Sequence, residues 1–200
     1  MCYAGGPYCY DKKLSPSRKI AAGEKRAAKA RRRLSEATSI NDADRARTNL
    51  AYANLYMKGG GTLSETDTDH VLNDIGRPDG GATFSPTRHT APTVGFCYSV
   101  RPERGMVVDA ESISCKPDDP PEKKERAYRT LQGFMDRNKD LLENENNFVG
   151  LWNDPQTGKV YVDVSTHTMR AERARKECAA HEQLAFFDLQ TFESVDVLRG

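Results

Sequence analysis

The sequence predicts an α+β fold: a small, mainly antiparallel sheet covered by two helices and preceded by a basic helical N-terminal region. Two observations predict the sheet and its helices. Short apolar runs that alternate with polar residues follow residue 93, and segments with apolar residues at three-to-four spacing lie between them. The resulting order, β-β-α-β-β-α-β-(β), is typical of a layered α+β domain. We therefore expect a basic helical region over 1–58, a linker over 59–92 and an α+β domain over 93–200.

The composition describes a polar chain with one modest core. The 200 residues are 37% hydrophobic, and mean hydropathy is −0.74. No run approaches the roughly 20 apolar residues of a spanning helix, and the N-terminus lacks the features of a signal peptide. The five cysteines are an odd number, which favours reduced thiols over a disulfide framework. We expect a cytoplasmic protein without membrane contact.

A net charge of +1 conceals a strong asymmetry. Between Lys12 and Arg33 there are ten basic residues and one acid, so this segment carries +9 and the rest of the chain carries −8. The sequence therefore predicts a basic arm attached to an acidic body. The binding partners of the two parts are predicted separately, from the charge of each.

Two helices are predicted in the N-terminal region. The first covers residues 15–37, with Ser15 or Ser17 as its cap and Pro16 in its first turn. Its apolar residues are mostly alanines, so it needs a partner to be stable. The second begins at Asn41 or Asp42, has an apolar face around Leu50, and ends at a run of glycines.

The segment 59–92 is rich in Gly, Thr, Asp and Pro and is predicted as a linker with one short helix over 69–75. Strands are then expected at Val94–Val100 and Met106–Asp109. Because five residues with Pro and Gly separate them, we expect these two strands to form a hairpin.

A helix is predicted to begin at Asp119, with Pro120 in its first turn and Glu122 completing a variant of the capping box. Its apolar face should cover the sheet. The residues of that face are Tyr128, Leu131, Phe134, Met135, Leu141 and Leu142.

The C-terminal part contains the best strand pair, Phe148–Asn153 and Lys159–Ser165, joined by a turn with Pro and Gly. Ser165 or Thr166 is expected to cap a helix that runs to about residue 181. Residues 184–189 and 192–197 supply closing strands.

Catalytic patterns are weak. Asp163, Ser165 and His167 alternate on a strand and suggest a hydrolytic triad, but the sharp turn that exposes a nucleophilic serine is absent. His89 and His167 each precede threonine, yet a residue that would complete a paired phosphoesterase motif is missing from both. We assign no catalytic residue, and a non-enzymatic protein is favoured.

Metal sites are also disfavoured. Cys2 and Cys9 could approach each other across a turn of glycine and proline, but their spacing is not that of a zinc knuckle. Cys178 and His181 have a ligand-like interval without a second pair. No metal and no cofactor are predicted.

The basic arm is the strongest functional signal. Clustered cations repel one another, and a nucleic acid relieves this repulsion while releasing its condensed counterions. The alternative is a solvated helix, or one docked on the acidic body. A membrane is disfavoured because the helix lacks large apolar residues for insertion. The residues predicted to contact DNA or RNA phosphates are Arg18, Lys19, Lys25, Arg26, Lys29, Arg31, Arg32 and Arg33.

A second predicted surface lies on the body. Tyr98, Arg101, Arg104 and Trp152 are of the types that contribute most energy at protein interfaces, and they fall on or near the predicted strands. The alternative is that Trp152 belongs to the core and that the arginines are solvated. We assign these four residues to binding of a protein partner.

Two segments resemble known proteins. The start MCYAGGPYC with the basic helix after it, and residues 148–165 with Phe186–Leu189, are similar to small proteins of actinobacterial phages and prophages. The resemblance implies a mobile-element protein in a bacterial cytoplasm and supplies no catalytic residues. The sequence thus favours an interaction protein that binds a protein and a nucleic acid and modulates a DNA transaction. The alternatives are a hydrolase acting on nucleic acid or a nucleotide signal, and a structural virion component.

Overall fold

A computed structural model describes residues 15–57, 63–65, 68–78 and 80–197. Over these ranges the chain has the predicted α+β fold, with a helical N-terminal region. The helices are α1 (Pro16–Ser35), α2 (Ile40–Met57), α3 (Thr68–Asp74), α4 (Ala110–Ile113), α5 (Pro121–Arg137), α6 (Lys139–Leu142) and α7 (Ala171–Ala180). The strands are β1 (Leu63–Glu65), β2 (Gly81–Phe84), β3 (Thr90–Pro92), β4 (Phe96–Ser99), β5 (Met106–Asp109), β6 (Asn147–Asn153), β7 (Lys159–Thr168), β8 (Ala185–Asp188) and β9 (Glu193–Asp196).

The main sheet is antiparallel throughout its described pairings and has the order β2-β6-β7-β4-β8-β9. The hairpin β6–β7 is its centre, and it confirms the predicted strand pair. Gly158 closes this hairpin with a φ of 64°, a conformation that suits glycine. A separate two-stranded sheet pairs β1 with β3.

Two helices cover one face of the main sheet, as predicted. Leu131 and Phe134 of α5 pack on the apolar residues of β6 and β7. Ala174 and Cys178 of α7 pack on Phe96 of β4 and on β8. Because side chains alternate along a strand, the register places both helices on the same face of the sheet. The opposite face is left to the polar and aromatic residues of the same strands.

The expected hairpin of β4 and β5 is wrong. The two strands do not pair with each other; both pair with β7 on the same side, β4 with Thr168 to Ser165 and β5 with Val162 to Lys159. They act as one interrupted strand, because β7 has ten residues and is long enough to accept both. The residues between them form a short 3-10 turn, Pro102–Arg104.

Part of the predicted linker belongs to the core. β2 is hydrogen-bonded to β6 at one edge of the main sheet. Leu72, Ile75 and Phe84 are all buried in the same cluster as α5. The prediction of a linker over this whole segment was wrong, because short strands and a seven-residue helix contain too few apolar residues to show a periodic pattern. The division of the chain into domains stays a prediction.

Three predicted helix starts need correction. α2 is capped by Ser39, whose hydroxyl accepts the N–H of Asp42 at 3.2 Å, not by Asn41 or Asp42 themselves. α5 begins at Pro121, so Asp119 lies outside the helix and accepts the N–H of Lys116 instead. α7 begins only at Ala171, because β7 continues through the residues expected to cap it.

The cap of α7 comes from a distant element. The N–H of Ala171 donates to the hydroxyl of Thr48 on α2 at 2.9 Å, and Thr48 donates to Glu172 at 3.0 Å. A polar side chain of α2 therefore satisfies an N–H at the start of α7, which would otherwise lack an intrahelical partner. In the described part of the chain, no helix is both long and apolar enough to cross a bilayer.

Candidate nucleic-acid interface

Helices α1 and α2 form a close antiparallel pair joined by four residues. Gly23, Ala27 and Ala30 are the buried residues of α1, and they pack with Leu50 and Ala53 of α2. Small residues let the two backbones approach closely: a Cβ at Gly23 would lie 2.1 Å from Cγ of Met57. The sequence predicted that α1 needs a partner, and α2 is that partner.

The cations of α1 lie away from α2. With 3.6 residues per turn, residues seven apart fall on nearly the same side of a helix. Lys19 is half-buried and the other predicted contact residues of α1 are exposed. They form two neighbouring rows, Arg18, Lys25 and Arg32 in one and Lys19, Arg26 and Arg33 in the other, with Lys29 between the rows and Arg31 on the opposite flank.

Within the described residues, the three arginines at the end of α1, Arg31, Arg32 and Arg33, do not pair with carboxylates of the sheet domain. Arg32 donates to Glu36 at 2.8 Å, but its side chain is 78% exposed, so this is a solvent-screened pair within the arm. Within the described residues, Arg31 and Arg33 have no ion pair with a carboxylate. The alternative of a helix docked on the protein's own acids therefore lacks support at these two positions.

Two buried carboxylates, Asp44 of α2 and Asp188 of β8, pair with cations outside α1. Arg175 of α7 donates to both oxygens of Asp44, from Nε at 2.6 Å and from Nη2 at 2.9 Å. Arg47 Nε lies 3.7 Å from the buried Asp188. These contacts join α2 to α7 and β8, so the helical hairpin is anchored to the sheet domain through α2, and α1 packs chiefly on α2.

The predicted protein-binding surface is not assembled. Tyr98 is 5% exposed on the helix-covered face of the sheet, where burial raises the pKa of its hydroxyl. Arg104 makes two hydrogen bonds of 2.7 Å to Asp140, and these bonds hold the pKa of that carboxyl below its usual range. Arg101 is exposed. Of the four residues, Trp152 and Arg101 are exposed, Arg104 is half-buried and paired with Asp140, and Tyr98 is buried.

Trp152 belongs to a row of exposed apolar residues that sequence reasoning missed. It lies opposite Tyr161 in the register of β6 and β7, and Tyr161 lies opposite Val107 of β5. The two aromatic rings are 5.7 Å apart, and the three side chains are between 41% and 55% exposed. We call Val107, Trp152 and Tyr161 the aromatic row. The alternation along β7 marked Tyr161 as outward-facing, but only the strand register brings it beside Trp152.

The triad that Asp163, Ser165 and His167 suggested is not formed. Ser165 donates directly to Asp163 Oδ1 at 2.7 Å, and His167 Nε2 bonds to the carbonyl oxygen of Val94 at 2.6 Å. Burial lowers the pKa of His167, so the neutral ring with Nε2 as donor fits this contact. The histidine does not contact the serine through this nitrogen, so the Ser–His–Asp relay of a hydrolytic triad is not in place.

Asp163 is the most perturbed carboxyl in this region. Burial raises its pKa to about 6, against the opposing effect of the Ser165 hydrogen bond. Gly150 makes room for this pair, because a Cβ there would lie 2.4 Å from Ser165 Oγ and 2.6 Å from Asp163 Oδ1. His89, the other histidine of the proposed phosphoesterase motif, is in an exposed turn.

Two of the residues that were weighed as metal ligands, Cys178 and His181, lie in the described part of the chain. Cys178 is fully buried on α7, and burial raises its pKa to about 12, so the thiol stays protonated. His181 follows the end of that helix. No cluster of three potential ligands occurs within the described part of the chain. Cys2 and Cys9 lie outside it.

The basic face of α1 is therefore the candidate functional site. Comparison of the chain with protein-family models, with curated proteins and with solved structures finds no match.

Proposed function

We propose that this protein is a non-enzymatic interaction protein that binds nucleic acid through the exposed cations of α1. One observation carries the proposal: six cations along the length of α1 are exposed, namely Arg18, Lys25, Lys29, Arg31, Arg32 and Arg33. A polyanion compensates such a surface, and release of counterions from the phosphates supplies the driving force. Because phosphate contacts carry no base information, binding is largely independent of sequence.

The cationic rows have the dimensions of an extended contact. From Arg18 to Arg32 a helix rises about 21 Å, a length along which several phosphates of one strand lie. The helix is held by small-residue packing and by the anchored α2, so it presents these charges without needing to fold on binding. Pre-ordering of a binding element reduces the entropy that association costs.

A triple substitution tests the proposal. Replacement of Arg31, Arg32 and Arg33 by Ala should weaken binding to unrelated sequences by similar factors. The slope of the logarithm of the association constant against the logarithm of salt should become shallower by about 2 to 3, because about two to three phosphate contacts are lost. The matched control replaces three exposed cations of the body, Arg126, Lys139 and Lys176, by Ala. A mobility-shift titration should show near-native affinity for the control. Equal losses in both triple variants would reject α1 as the binding element.

We propose in addition that the aromatic row contacts a protein partner. An exposed Trp beside an exposed Tyr is the kind of pair that forms the centre of interfaces. Because Trp152 is the only tryptophan in the chain, its fluorescence reports directly on this surface. Light scattering against concentration tests the case in which the partner is a second copy. A monomer throughout, with unchanged Trp152 emission, excludes self-association through this row.

The resemblance to phage proteins remains part of the proposal, which places this binding in a DNA transaction of a mobile element. The hydrolase alternative is less well supported, since His167 is committed to a backbone carbonyl and Ser165 to Asp163. The virion alternative requires self-association, which the same light-scattering experiment measures.

A further inference from the structure

We infer that the cavity between the start of α2, α7 and the edge strand β9 is a binding site for a phosphate group. The cavity has a volume of about 290 Å³ and is lined by residues of these elements and of the loop that joins α1 to α2. This volume is near the lower end of the range for small-molecule sites, about 300–1,000 Å³. None of the α1 cations assigned to nucleic-acid binding lines the cavity in the described part of the chain, so this site stands or falls independently of the proposed function.

Arg47 of α2 brings a positive charge to the cavity. Its side chain is 18% exposed, and its Nε is buried without a hydrogen-bond partner among the described residues. Asp188 Oδ2 lies 3.7 Å from Nε, and Asp44 Oδ1 lies 4.0 Å from Nη1. These are distances of ion pairs and are too long for hydrogen bonds. Because a guanidinium has five N–H donors and unsatisfied buried donors are costly, Arg47 has donors to offer a ligand with oxygen acceptors.

Arg175 of α7 also lines the cavity, but its donors are engaged. It donates to both oxygens of Asp44, at 2.6 and 2.9 Å, and to the carbonyl oxygen of Asp196 at 2.6 Å. These bonds hold α7 and β9 against α2, so they fix the wall of the cavity. The two arginines therefore differ in role: Arg175 builds the site, and Arg47 is the cation that a ligand can engage.

The free edge of β9 adds main-chain donors. β9 is the last strand in the order of the main sheet, and its described pairing is with β8. Val197 N–H donates to Leu184, and the alternation of an antiparallel pair then turns the N–H groups of Ser194 and Asp196 away from β8. Arg175 reaches the carbonyl oxygen of Asp196 from that side. Neither of the two N–H groups has an acceptor within the part of the chain that the structure describes, so both can serve an anion.

The arrangement of the donors favours a phosphate group over a carboxylate. Arg47 donates from a helix, Ser194 and Asp196 donate from a strand edge, and the hydroxyl-bearing Thr38 and Ser39 line the cavity from the loop. A carboxylate presents its acceptors in one plane, whereas the tetrahedral oxygens of a phosphate accept from several directions. Arginine bonds phosphate oxygens with paired N–H donors, and such charged bonds are roughly twice as strong as neutral ones.

The carboxylates near the cavity do not take the place of this ligand. Asp44 has both oxygens bonded by Arg175. Burial raises the pKa of Asp188, so this residue carries its charge less readily than an exposed aspartate. Asp196 lines the cavity at an exposed position, where solvent screens its charge. The ion pairs of Arg47 therefore leave its hydrogen-bond donors to an anion.

Calorimetric titration of the full chain with inorganic phosphate, at constant ionic strength, tests the inference. The wild type should bind phosphate saturably at one site. Arg47→Met removes the guanidinium and should weaken this binding at least about tenfold, because a hydrogen-bonded charge is lost. The matched control is Arg45→Met, which removes an exposed cation of the same helix outside the cavity. It should change the affinity less than about threefold.

A second variant fills the cavity without removing a charge. Ala43 is half-buried and lines the cavity, so Ala43→Leu occupies part of its volume. We expect at least about a tenfold loss of phosphate affinity from the clash. Ala179→Leu makes the same change at an exposed position of α7 and should alter the affinity less than about threefold. Circular dichroism checks that each variant is folded, and Ala43→Leu decides the matter if Arg47→Met does not fold.

The inference is overturned by absence of saturable phosphate binding to the wild type, by undiminished binding to folded Arg47→Met, or by an equal loss in Arg45→Met. Competition identifies the source of the phosphate group. A bound DNA duplex without terminal phosphates is challenged with inorganic phosphate at constant ionic strength. Release of the duplex assigns the cavity to a phosphate of the nucleic acid, and retention assigns it to a small phosphate ester. Phosphate binding without any DNA binding supports this site and contradicts the proposed function.

Discussion

At the scale of single residues, burial decides which polar groups are chemically available. Asp163 is desolvated and accepts one described hydrogen bond, from Ser165, so its pKa rises to about 6. His167 is held neutral by burial against a carbonyl oxygen. The letters Asp-x-Ser-x-His are those of a catalytic site, but their alternation on one strand produces a local hydrogen bond rather than a nucleophile and its base.

Asp163→Asn should stabilise the protein at neutral pH. The folded state binds the Asp163 proton more tightly than the unfolded chain, so stability falls as pH rises from about 4 to about 6 and the penalty is complete above that range. We expect Asn to raise the free energy of unfolding at pH 7 by up to about 3 kcal/mol and to change it little at pH 4. Urea unfolding of the wild type and the variant at several pH values measures the difference in their free energies of unfolding. His167 is present in both proteins, so its own effect on the pH dependence of stability cancels in this difference. A difference that does not vary with pH contradicts the assignment.

At the scale of elements, the helical hairpin depends on small residues. Ala27, Ala30 and Ala53 are buried where α1 crosses α2, and large side chains there would hold the helices apart. The low apolar content of α1, which from the sequence suggested a weak helix, is what permits this close packing. The exposed side of α1 then carries mainly charged residues and alanines.

Ala30→Leu should therefore separate the two helices, whereas Ala28→Leu should not. Ala30 is 3% exposed and Ala28 is exposed on the same helix, so the pair is matched in propensity and differs in burial. We expect Ala30→Leu to lower the free energy of unfolding by about 1–3 kcal/mol and Ala28→Leu to change it by less than about 0.5 kcal/mol. Thermal unfolding followed by circular dichroism checks this, and equal effects would show that α1 does not pack as described.

The elements with strong periodicity were predictable. The β6–β7 pair, the face of Leu131 and Phe134 on α5, and both C-terminal strands follow from local patterns. The cap of α7 by Thr48 and the collinear pairing of β4 and β5 with β7 depend on contacts between distant segments, and no local pattern encodes them. For the same reason, the burial of Tyr98 under α7 could not be predicted, because it follows from the register of β4 with β7.

At the scale of the whole molecule, a buried ionic network joins the basic hairpin to the acidic body. Arg175 bridges Asp44 of α2 and the carbonyl oxygens of Asp196 and Val197, and Arg47 lies beside Asp188. The buried carboxylates Asp44 and Asp188 are thus both paired with arginines outside α1. The asymmetry of charge along the sequence is matched by the exposure of six cations along α1.

Removal of one partner of the network should be more harmful than replacement of both. Asp44→Leu or Arg175→Met alone leaves a buried charge without its partner and should cost about 3–5 kcal/mol. The double variant Asp44→Leu/Arg175→Met should be closer to the wild type than either single variant. A double-mutant cycle of urea unfolding measures this coupling, and additive effects would contradict a direct buried pair.

The salt dependence of DNA binding by the unmodified protein tests the electrostatic function of α1 most directly. Association constants for a labelled duplex are measured by anisotropy across a range of salt concentrations. With five to seven phosphates contacted, the logarithm of the association constant should fall against the logarithm of salt with a slope of about −5 to −6. A slope shallower than about −2, or no binding at low salt, would contradict the account.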